Sequence, residues 1–376
     1  MNKFLLLIIL SFLSVLHLHA NVQERLTSLE ESMKDIYLQT DQKSAGALFA
    51  HAKEKQNPWT IDAELLLWHA KSGDCNWVIV FDQVVDPLDG SMDTLGFSWN
   101  FGLRAGASKH YTHDDWNLGL VYTYYHTDDS TKVEAPFATP ESFNGIAGSR
   151  GVASGRFSAR LSYNALDLCL GKSYFTSSNL RVAPYIGLKN LWLGENYKLK
   201  IFNQIDDLQS LTPVQGTVNN SFQNTNHIWG IGPEVGTHFS WFLCNQFSIT
   251  ATAEAALVHS YFKVRHKAEY FVSPVGFPSV SSEALLHGSI HSFIPYGRLL
   301  LGFGWDKTFY EDTKTLSLSL SYEVNYFWRA SQMLNQKTSD PSPISITFAE
   351  STRLLISRFA EDLQLYGVTF QVQYSF

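Results

Sequence analysis

Charged side chains recur inside apolar segments of this 376-residue chain, at positions that alternate with the apolar residues. If these segments are β-strands, successive side chains point to opposite faces, so the charges share one face and the apolar residues the other. The charges that this parity places on the inner face are Asp62, Glu64, Arg104, Arg160, Asp167, Arg181, Lys189, Glu234, Glu254, Arg298, Asp306, Glu323 and Arg329. Acidic and basic residues are almost equal in number among them, so the set is close to neutral.

A nearly balanced set of inward charges is compatible with two kinds of chemistry. A lone charge in a low-dielectric interior is costly, so opposite charges either pair and brace the wall or line a wet channel. For any single residue the bracing role is favoured. For the group a role in ion selectivity is favoured, with Arg104, Arg181, Lys189 and Arg298 facing Glu64, Glu234, Glu254 and Glu323.

Two segments combine histidine and aspartate. "HYTHDDW" (110–116) contains His110, His113, Asp114 and Asp115, but it occupies a short turn, where such residues are commonly solvated, so we expect no metal. "HTDD" (126–129) is similar to the Asp/His pair of the outer-membrane omptin proteases. Those proteases also need a pair of aspartates facing this one across the site, and no matching Asp pair is evident at the opposite rim. We therefore expect a protein that is not an enzyme, with no catalytic residues, no cofactor and no metal.

The elements that would position the charges are strands. From Trp59 onward the apolar residues recur with period two, most clearly in "LSLSLSYEVNYFW" (316–328), and this pattern predicts half-buried strands. Ten are predicted, near 59–70, 95–109, 115–126, 156–172, 179–200, 226–242, 245–264, 292–307, 314–330 and 363–376. In the fourth the apolar parity switches, with Phe157, Ala159 and Leu161 outward at its start, which predicts a β-bulge near Asn164.

The connections between these strands alternate in length. Residues 110–114, 173–178, 243–244 and 308–313 are short, whereas 71–94, 127–155, 201–225, 265–291 and 331–362 are long and polar. This alternation is typical of outer-membrane barrels. The fold class is therefore all-β: a transmembrane antiparallel β-barrel of about 10 strands, or up to 14 if "PISITFAESTRLLISRF" (343–359) contains more.

Aromatic residues lie where the two headgroup levels of a membrane would be. Trp59, Trp116 and Tyr374 are near the short-turn ends of their strands, and Tyr124 and Trp328 are near the long-loop ends. The chain ends on an apolar alternation that includes Val372, Tyr374 and Phe376. These three residues are predicted to form the outer-membrane assembly signal that the barrel-assembly machinery reads, with the last strand pairing with the first.

The N-terminal region has two further parts. Residues 1–20 carry Lys3, an apolar run and then Ala20, which predicts a cleaved signal peptide. Residues 21–58 contain a short heptad seam and a linker, so a short N-terminal helix precedes the barrel. Whether this helix lies on the barrel or oligomerises in the periplasm stays open. The barrel itself is assigned to residues 59–376.

Charge and cysteine content limit the binding partners that can be expected. The formal charge of −7 argues against binding of nucleic acid, because a nucleic-acid-binding protein needs a basic surface. Three cysteines, Cys75, Cys169 and Cys244, are an odd number for an exported chain, and their pairing state stays open. Cys75, in the first outer loop, would then be available to cross-link neighbouring molecules.

Four segments resemble the major-outer-membrane-protein-like (MOMP-like) family of Legionella and chlamydia-like bacteria. They are "AELLLWHAKSGD" (63–74), "WNFGLRAGASKHYTHDDWNLGLVYTYYHT" (99–127), "GIGPEVGTHFSWFLCNQFSITATAEAALVHSYFKV" (230–264) and "SYEVNYFWRASQML" (321–334). The likeness departs after Asp74, at "CNWVIV". It implies a porin of the bacterial outer membrane that is sometimes involved in host contact.

The resulting hypothesis is an outer-membrane, porin-like barrel that passes ions or small hydrophilic solutes. Ten strands lie near the size at which side chains fill the interior, while 16 to 18 leave an open channel. The alternative is therefore a narrow or closed barrel that acts as an adhesin or structural envelope protein through long extracellular loops. The expected partners are outer-membrane lipid, the assembly machinery and host-cell surface ligands, and homo-oligomerisation stays open.

Overall fold

The structure, a computed structural model, describes residues 59–81, 90–111, 116–135, 137–140, 153–177, 179–207, 214–244, 246–275, 278–309, 314–338 and 354–376. The predicted signal peptide and N-terminal helix lie outside these residues, as does most of the 343–359 segment. In the described part of the chain no helix has the length and apolar character needed to cross a membrane.

Fourteen strands are present in the described residues. They are β1 (Trp59–Ser72), β2 (Asn76–Phe81), β3 (Gly90–Thr94), β4 (Asn100–Tyr111), β5 (Trp116–Ala135), β6 (Phe137–Pro140), β7 (Ala153–Lys172), β8 (Tyr174–Ser177), β9 (Leu180–Asp207), β10 (Val214–Cys244), β11 (Phe247–Pro274), β12 (Val280–Phe309), β13 (Lys314–Thr338) and β14 (Leu354–Ser375). A short 3-10 turn, Gly73–Cys75, joins β1 to β2.

Ten of these strands form a closed antiparallel ring in the order β1-β4-β5-β7-β9-β10-β11-β12-β13-β14. The ring closes because β14 pairs with both β13 and β1, where Tyr374 lies opposite Ile61. At the very end Phe376 N–H donates to Trp59 O at 2.9 Å. Closure leaves no strand edge in the ring, which is what hydrocarbon surroundings require. The prediction of a barrel with about ten strands is confirmed.

The remaining strands are short additions to the ring. Strands β2, β3 and β6 form a separate three-stranded sheet in the connections at the long-loop end, and β8 pairs with the start of β9. Each of the ten predicted strands corresponds to one ring strand.

The outer wall carries an apolar band with aromatic residues at its borders. On β10 the outward residues run from Trp229 through Ile231 and Val235 to Trp241, and all four are exposed. Trp59, Trp116 and Tyr374 are exposed at the short-turn end, and Tyr124 and Trp328 are exposed higher on the wall. Such a band with two aromatic borders matches the surface that a membrane barrel presents to lipid.

Several strands continue far beyond this band. The prediction of long loops at 201–225 and 265–291 is therefore wrong, because most of these residues belong to strands. Strand β10 has 31 residues and β12 has 30, whereas about 9–11 tilted residues cross a bilayer. Strand β9 runs to Asp207 and β10 begins at Val214, and these two residues pair with each other. The extensions were missed because their outward residues are polar, and polar segments between apolar strands are easily interpreted as loops.

The bulge predicted near Asn164 is also wrong. The register of β7 with β5 and β9 is continuous along its paired length, and Phe157 and Leu161 are buried inside the barrel. The apolar residues change face because the environment changes. In the membrane they face lipid, and above it they face the lumen while the outer wall faces water. The hydrophobic core of this protein therefore fills the extracellular part of the barrel.

Candidate functional site

A layer of buried charges crosses the lumen at membrane level. One of its centres is Arg104 on β4, which donates to Glu64 Oε2 at 2.5 Å and to Glu323 Oε1 at 2.8 Å. Its Nε also donates to Thr123 Oγ1 at 3.0 Å. Glu323 is fully buried and also accepts from Thr369 Oγ1 at 3.0 Å. Each charged group thus has several partners, which is the condition under which buried charge is tolerated.

The second centre is Lys189 on β9, whose side chain is 1% exposed. Its Nζ lies 2.7 Å from Asp167 Oδ1, 3.0 Å from Glu254 Oε1 and 3.2 Å from Glu234 Oε2. The ammonium also lies 4.7 Å from the centroid of the Tyr296 ring. Three carboxylates and one aromatic face therefore surround a single cation.

Arg298 on β12 joins the two centres. Its Nε lies 2.7 Å from Glu323 Oε1, and its Nη1 lies 3.4 Å from Glu254 Oε2. The result is one connected set on eight of the ten ring strands, which we call the charge layer. Its members are Glu64, Arg104, Asp167, Lys189, Glu234, Glu254, Arg298 and Glu323. Carboxylates outnumber cations in it, so it carries excess negative charge when all groups are ionised.

Small and hydroxyl-bearing residues make room for this layer and complete its hydrogen bonds. Tyr185 OH donates to Glu254 Oε2 at 2.9 Å, and its ring lies over Gly236. A Cβ at Gly236 would approach Tyr185 Cζ to 2.3 Å, so a larger residue there would displace the ring. The Cys169 thiol donates to Glu234 Oε1 at 3.5 Å.

Two predicted inner-face residues lie near the layer without joining its described ion pairs. Asp62 lies on the inner face against Gly106 of the neighbouring strand. Arg181 lies nearer the short-turn end, where its Nη2 donates to Ser173 Oγ at 3.0 Å.

Two of the predicted inner-face residues, Arg160 and Arg329, are exposed instead. Arg160 lies above the membrane on β7, where the outward face is polar and the parity used for the prediction no longer holds. Arg329 lies within a register shift of β13, between Phe327 and Ser331, and has a φ of 53°, so the bulge turns its side chain outward. Asp362 Oδ1 accepts from Arg329 N at 2.7 Å and holds this turn.

Directly above the charge layer, apolar side chains fill the lumen from wall to wall. Strands β7 and β13 are five positions apart in a ring of ten and therefore face each other across the barrel. Their Tyr163 and Phe327 rings are nevertheless 5.3 Å apart between centroids, and Tyr296 lies 4.8 Å from Phe327. We call this set the apolar plug: Leu66, Trp68, Tyr125, Phe157, Leu161, Tyr163, Tyr197, Phe222, Phe262, Tyr296 and Phe327, all buried.

Buried polar side chains cross the lumen in the same extracellular part. Glu195 Oε2 accepts from Asn226 Nδ2 at 2.9 Å and from Ser331 Oγ at 3.0 Å. Asn224 Oδ1 lies 2.9 Å from His266 Nδ1, and Asn224 Nδ2 donates to Met333 Sδ at 3.6 Å. The amide oxygen of Asn224 must therefore accept, so the His266 proton is on Nδ1. Sequence reasoning missed Asn224, His266, Ser331 and Met333 because it treated their segments as loops.

His266 makes the stability of this part sensitive to acid. It lies five residues beyond Tyr261, outside the apolar band, and burial lowers its pKa to about 4. An unfolded histidine has a pKa near 6.5 and binds protons more tightly. Stability contributed by neutral His266 is therefore complete at pH 7 and is lost as the pH falls from about 6.5 towards 4. At pH 5 the loss amounts to about 2 kcal/mol.

We expect the variant His266→Asn to remove this loss. Its amide nitrogen can still donate to Asn224, and it does not titrate. Urea unfolding in lipid vesicles at pH 7 and pH 5 measures the difference, and the charge layer contributes equally to both proteins. An identical fall in stability for wild type and variant would contradict the assignment.

The histidine and aspartate segments give no assembled centre in the described residues. His113, Asp114 and Asp115 lie outside them. Among the described residues no group of three or more His, Cys, Asp or Glu side chains is placed to hold a metal. Asp129 accepts from Ser98 N at 2.9 Å and from Ser98 Oγ at 2.6 Å, on the strand face opposite to His126. Cys75 is 3% exposed, so its thiol is not presented to neighbouring molecules.

Comparison with known proteins gives one family. A family model described as Legionella pneumophila major outer membrane protein precursor matches residues 52–376. No curated protein sequence matches the chain. Similar solved structures include the outer membrane protease OmpT of Escherichia coli, with 9% identity over 85% of this chain and 96% of that chain and a TM-score of 0.41.

Two further solved structures have lower TM-scores. The toluene transporter TodX of P. putida is 9% identical over 88% of this chain and 93% of that chain, with a TM-score of 0.24. A FadL homologue of Pseudomonas aeruginosa is 9% identical over 89% of this chain and 96% of that chain, with a TM-score of 0.23. At these values the three likenesses carry no argument about what this chain does.

Proposed function

The chain belongs to the family of the Legionella pneumophila major outer membrane protein precursor, and we propose that it is a closed outer-membrane barrel that acts as a structural or adhesive envelope protein. It is not an enzyme in this proposal. Its activity lies in the part of the barrel that stands above the membrane, and its lumen does not pass solutes in the resting state.

The observation that carries the closed state is the contact between Tyr163 and Phe327, which lie on opposite walls and meet in the middle of the lumen. Below this contact, the charge layer links eight strands by ion pairs. A solute would have to break several buried ion pairs and displace packed aromatic rings. Removing one partner of a buried pair alone costs about 3–5 kcal/mol.

The extracellular extension supports a role at the cell surface. Strand β10 continues for about 15 residues above Trp229, and at about 3.3 Å per residue and a tilt of about 35–45° it would rise roughly 35–40 Å above the apolar band. Its outer wall is polar there, with Thr217, Asn219 and His227 exposed. A polar wall of this height would hold the ends of its strands well clear of the lipid.

The connection between β13 and β14 offers a direct test. Thr338 lies opposite Leu354, so an Asn-Gly turn can replace residues 339–353 without changing the register. In cells that display this variant we expect attachment to host cells to fall several-fold, with unchanged heat-modifiable mobility of the barrel. Deletion of 331–362 would instead remove parts of both strands. Full attachment after shortening 339–353, 208–213 and 141–152 together would refute the adhesive role.

A second candidate function is passage of ions or small hydrophilic solutes after the plug and the charge layer rearrange. The excess of carboxylates in the charge layer favours it, because such a layer would select cations once it was hydrated. In this role Arg104, Lys189 and Arg298 would tune selectivity against Glu64, Glu254 and Glu323.

A further inference from the structure

The outer wall of the extracellular extension has a basic patch. Four outward side chains on three neighbouring strands form it: His227 on β10, Lys263 and Arg265 on β11, and His287 on β12. Lys263 lies opposite His227, and Arg265 lies opposite His287. Directly paired residues on one face have Cβ atoms about 5 Å apart, so these side chains are neighbours.

Lys263 and Arg265 have no ion-pair partner in the described part of the chain. The nearest outward carboxylates on these strands, Glu269 and Glu283, lie 2.6 Å and 3.3 Å from the Nζ of Lys267. The hydrogen bonds that Lys267 donates to Glu269 and Glu283 also raise the pKa of Lys267. The positive charge of Lys267 is therefore matched within the protein, and the charges of Lys263 and Arg265 are not.

The height of the patch coincides with the headgroups of the outer leaflet. Tyr261 lies opposite Trp229 at the upper border of the apolar band, and its ring lies 5.0 Å from that of His291. Lys263 and Arg265 follow it by two and four residues, about 5 Å and 10 Å higher along a tilted strand. Headgroups occupy the few ångströms between the hydrocarbon boundary and water.

A groove in the outer wall lies beside the patch and includes Arg265 in its lining. Its volume is about 300 Å³, and Gln223, Thr225, Arg265, Lys267, Glu283 and Leu285 line it. All six lie on outward positions of β10, β11 and β12. Arg265 supplies a planar set of donors that suits a phosphate, and the amide and hydroxyl beside it can bond to sugar oxygens.

We propose that Lys263 and Arg265, with His227 and His287 beside them, bind the phosphate of a phosphorylated glycolipid in the outer leaflet. The lipid chains would then lie along the apolar band below Tyr261 and Trp229, and its sugar would reach the groove. This proposal goes beyond the proposed function, because it holds whether or not the lumen ever opens.

Binding of diphosphorylated lipid A to the purified full-length barrel in detergent micelles tests it, with native mass spectrometry as the measurement. We expect the double variant Lys263→Gln/Arg265→Gln to bind about tenfold more weakly than wild type, a difference of about 1.4 kcal/mol. Lys132→Gln is the matched control, since Lys132 is an exposed lysine on β5 outside both the patch and the groove, and its binding should stay within about twofold of wild type. Dephosphorylated lipid A should bind weakly and equally to all three proteins.

Three results would overturn the proposal. They are equal binding of phosphorylated and dephosphorylated lipid by the wild type, unchanged binding by the double variant, and a loss in Lys132→Gln as large as in the double variant. Free inorganic phosphate is expected not to displace the lipid, and displacement would show that the patch is a site for soluble anions. An acidic peptide that competes fully with the lipid would likewise count against a lipid site. Urea unfolding of each variant establishes that the barrel is intact.

Discussion

Replacing Glu323 by glutamine is expected to lower the free energy of unfolding of the barrel by roughly 3–5 kcal/mol. Glu323 is fully buried and is the shared partner of Arg104 and Arg298, at 2.8 Å and 2.7 Å. The amide of glutamine keeps the shape but carries no charge, so two guanidinium groups would share less compensation in a buried layer. Urea unfolding in lipid vesicles, followed by tryptophan fluorescence, measures the change.

The variant Glu283→Gln is the control for this experiment. Glu283 also forms an ion pair, with Lys267 at 3.3 Å, but its side chain is 57% exposed on the outer wall. Exposed pairs contribute about 0–1 kcal/mol, so the same chemical change should have little effect there. If both variants lost the same small amount, the charge layer would not brace the lumen as described.

The double variant Tyr163→Ala/Phe327→Ala is expected to make the barrel conduct ions. These two rings close the centre of the lumen, and the space they leave borders the charge layer and the buried amides. A cavity with polar groups in its wall takes up water, whereas a purely apolar one stays dry. We therefore expect stepwise conductance in planar bilayers, with preference for cations because carboxylates predominate in the charge layer.

Loss of two buried rings will also destabilise the protein, by about 3–5 kcal/mol for each aromatic residue replaced by alanine. Heat-modifiable mobility on the same sample shows whether the barrel has folded. Phe303→Ala is the matched control, because Phe303 faces outward in the apolar band and is 69% exposed. A folded double variant that conducts no more than Phe303→Ala would place the barrier elsewhere in the barrel.

Alternation along the chain was enough to predict the ring of ten strands, because lipid requires apolar outward residues on every strand that crosses the membrane. It failed above the membrane for the same physical reason. There the outward face meets water and the lumen is apolar, so Phe157 and Leu161 were assigned to the wrong face. Arg160, between them, was placed inside by that error.

The charge layer could be predicted only as a set of residues with a common face. Parity placed Glu64, Arg104 and Glu323 inside the barrel, and the structure brings them within hydrogen-bond distance. The partners could not be inferred, because a strand's parity does not tell which side chains meet across a lumen. Tyr163 and Phe327 are far apart in sequence, and their contact depends on the closure of the whole ring. The bulge at Arg329 could not be predicted, because the alternation of apolar and polar residues before Trp328 gives no sign of it.

In the proposed function the resting lumen is closed by the charge layer and the apolar plug. Single-channel recording of the refolded wild-type protein in planar bilayers, in concentrated potassium chloride, tests it most directly. The closed barrel predicts a flat baseline from samples whose heat-modifiable mobility shows complete folding. Regular, long-lived conductance steps from the same samples would contradict it.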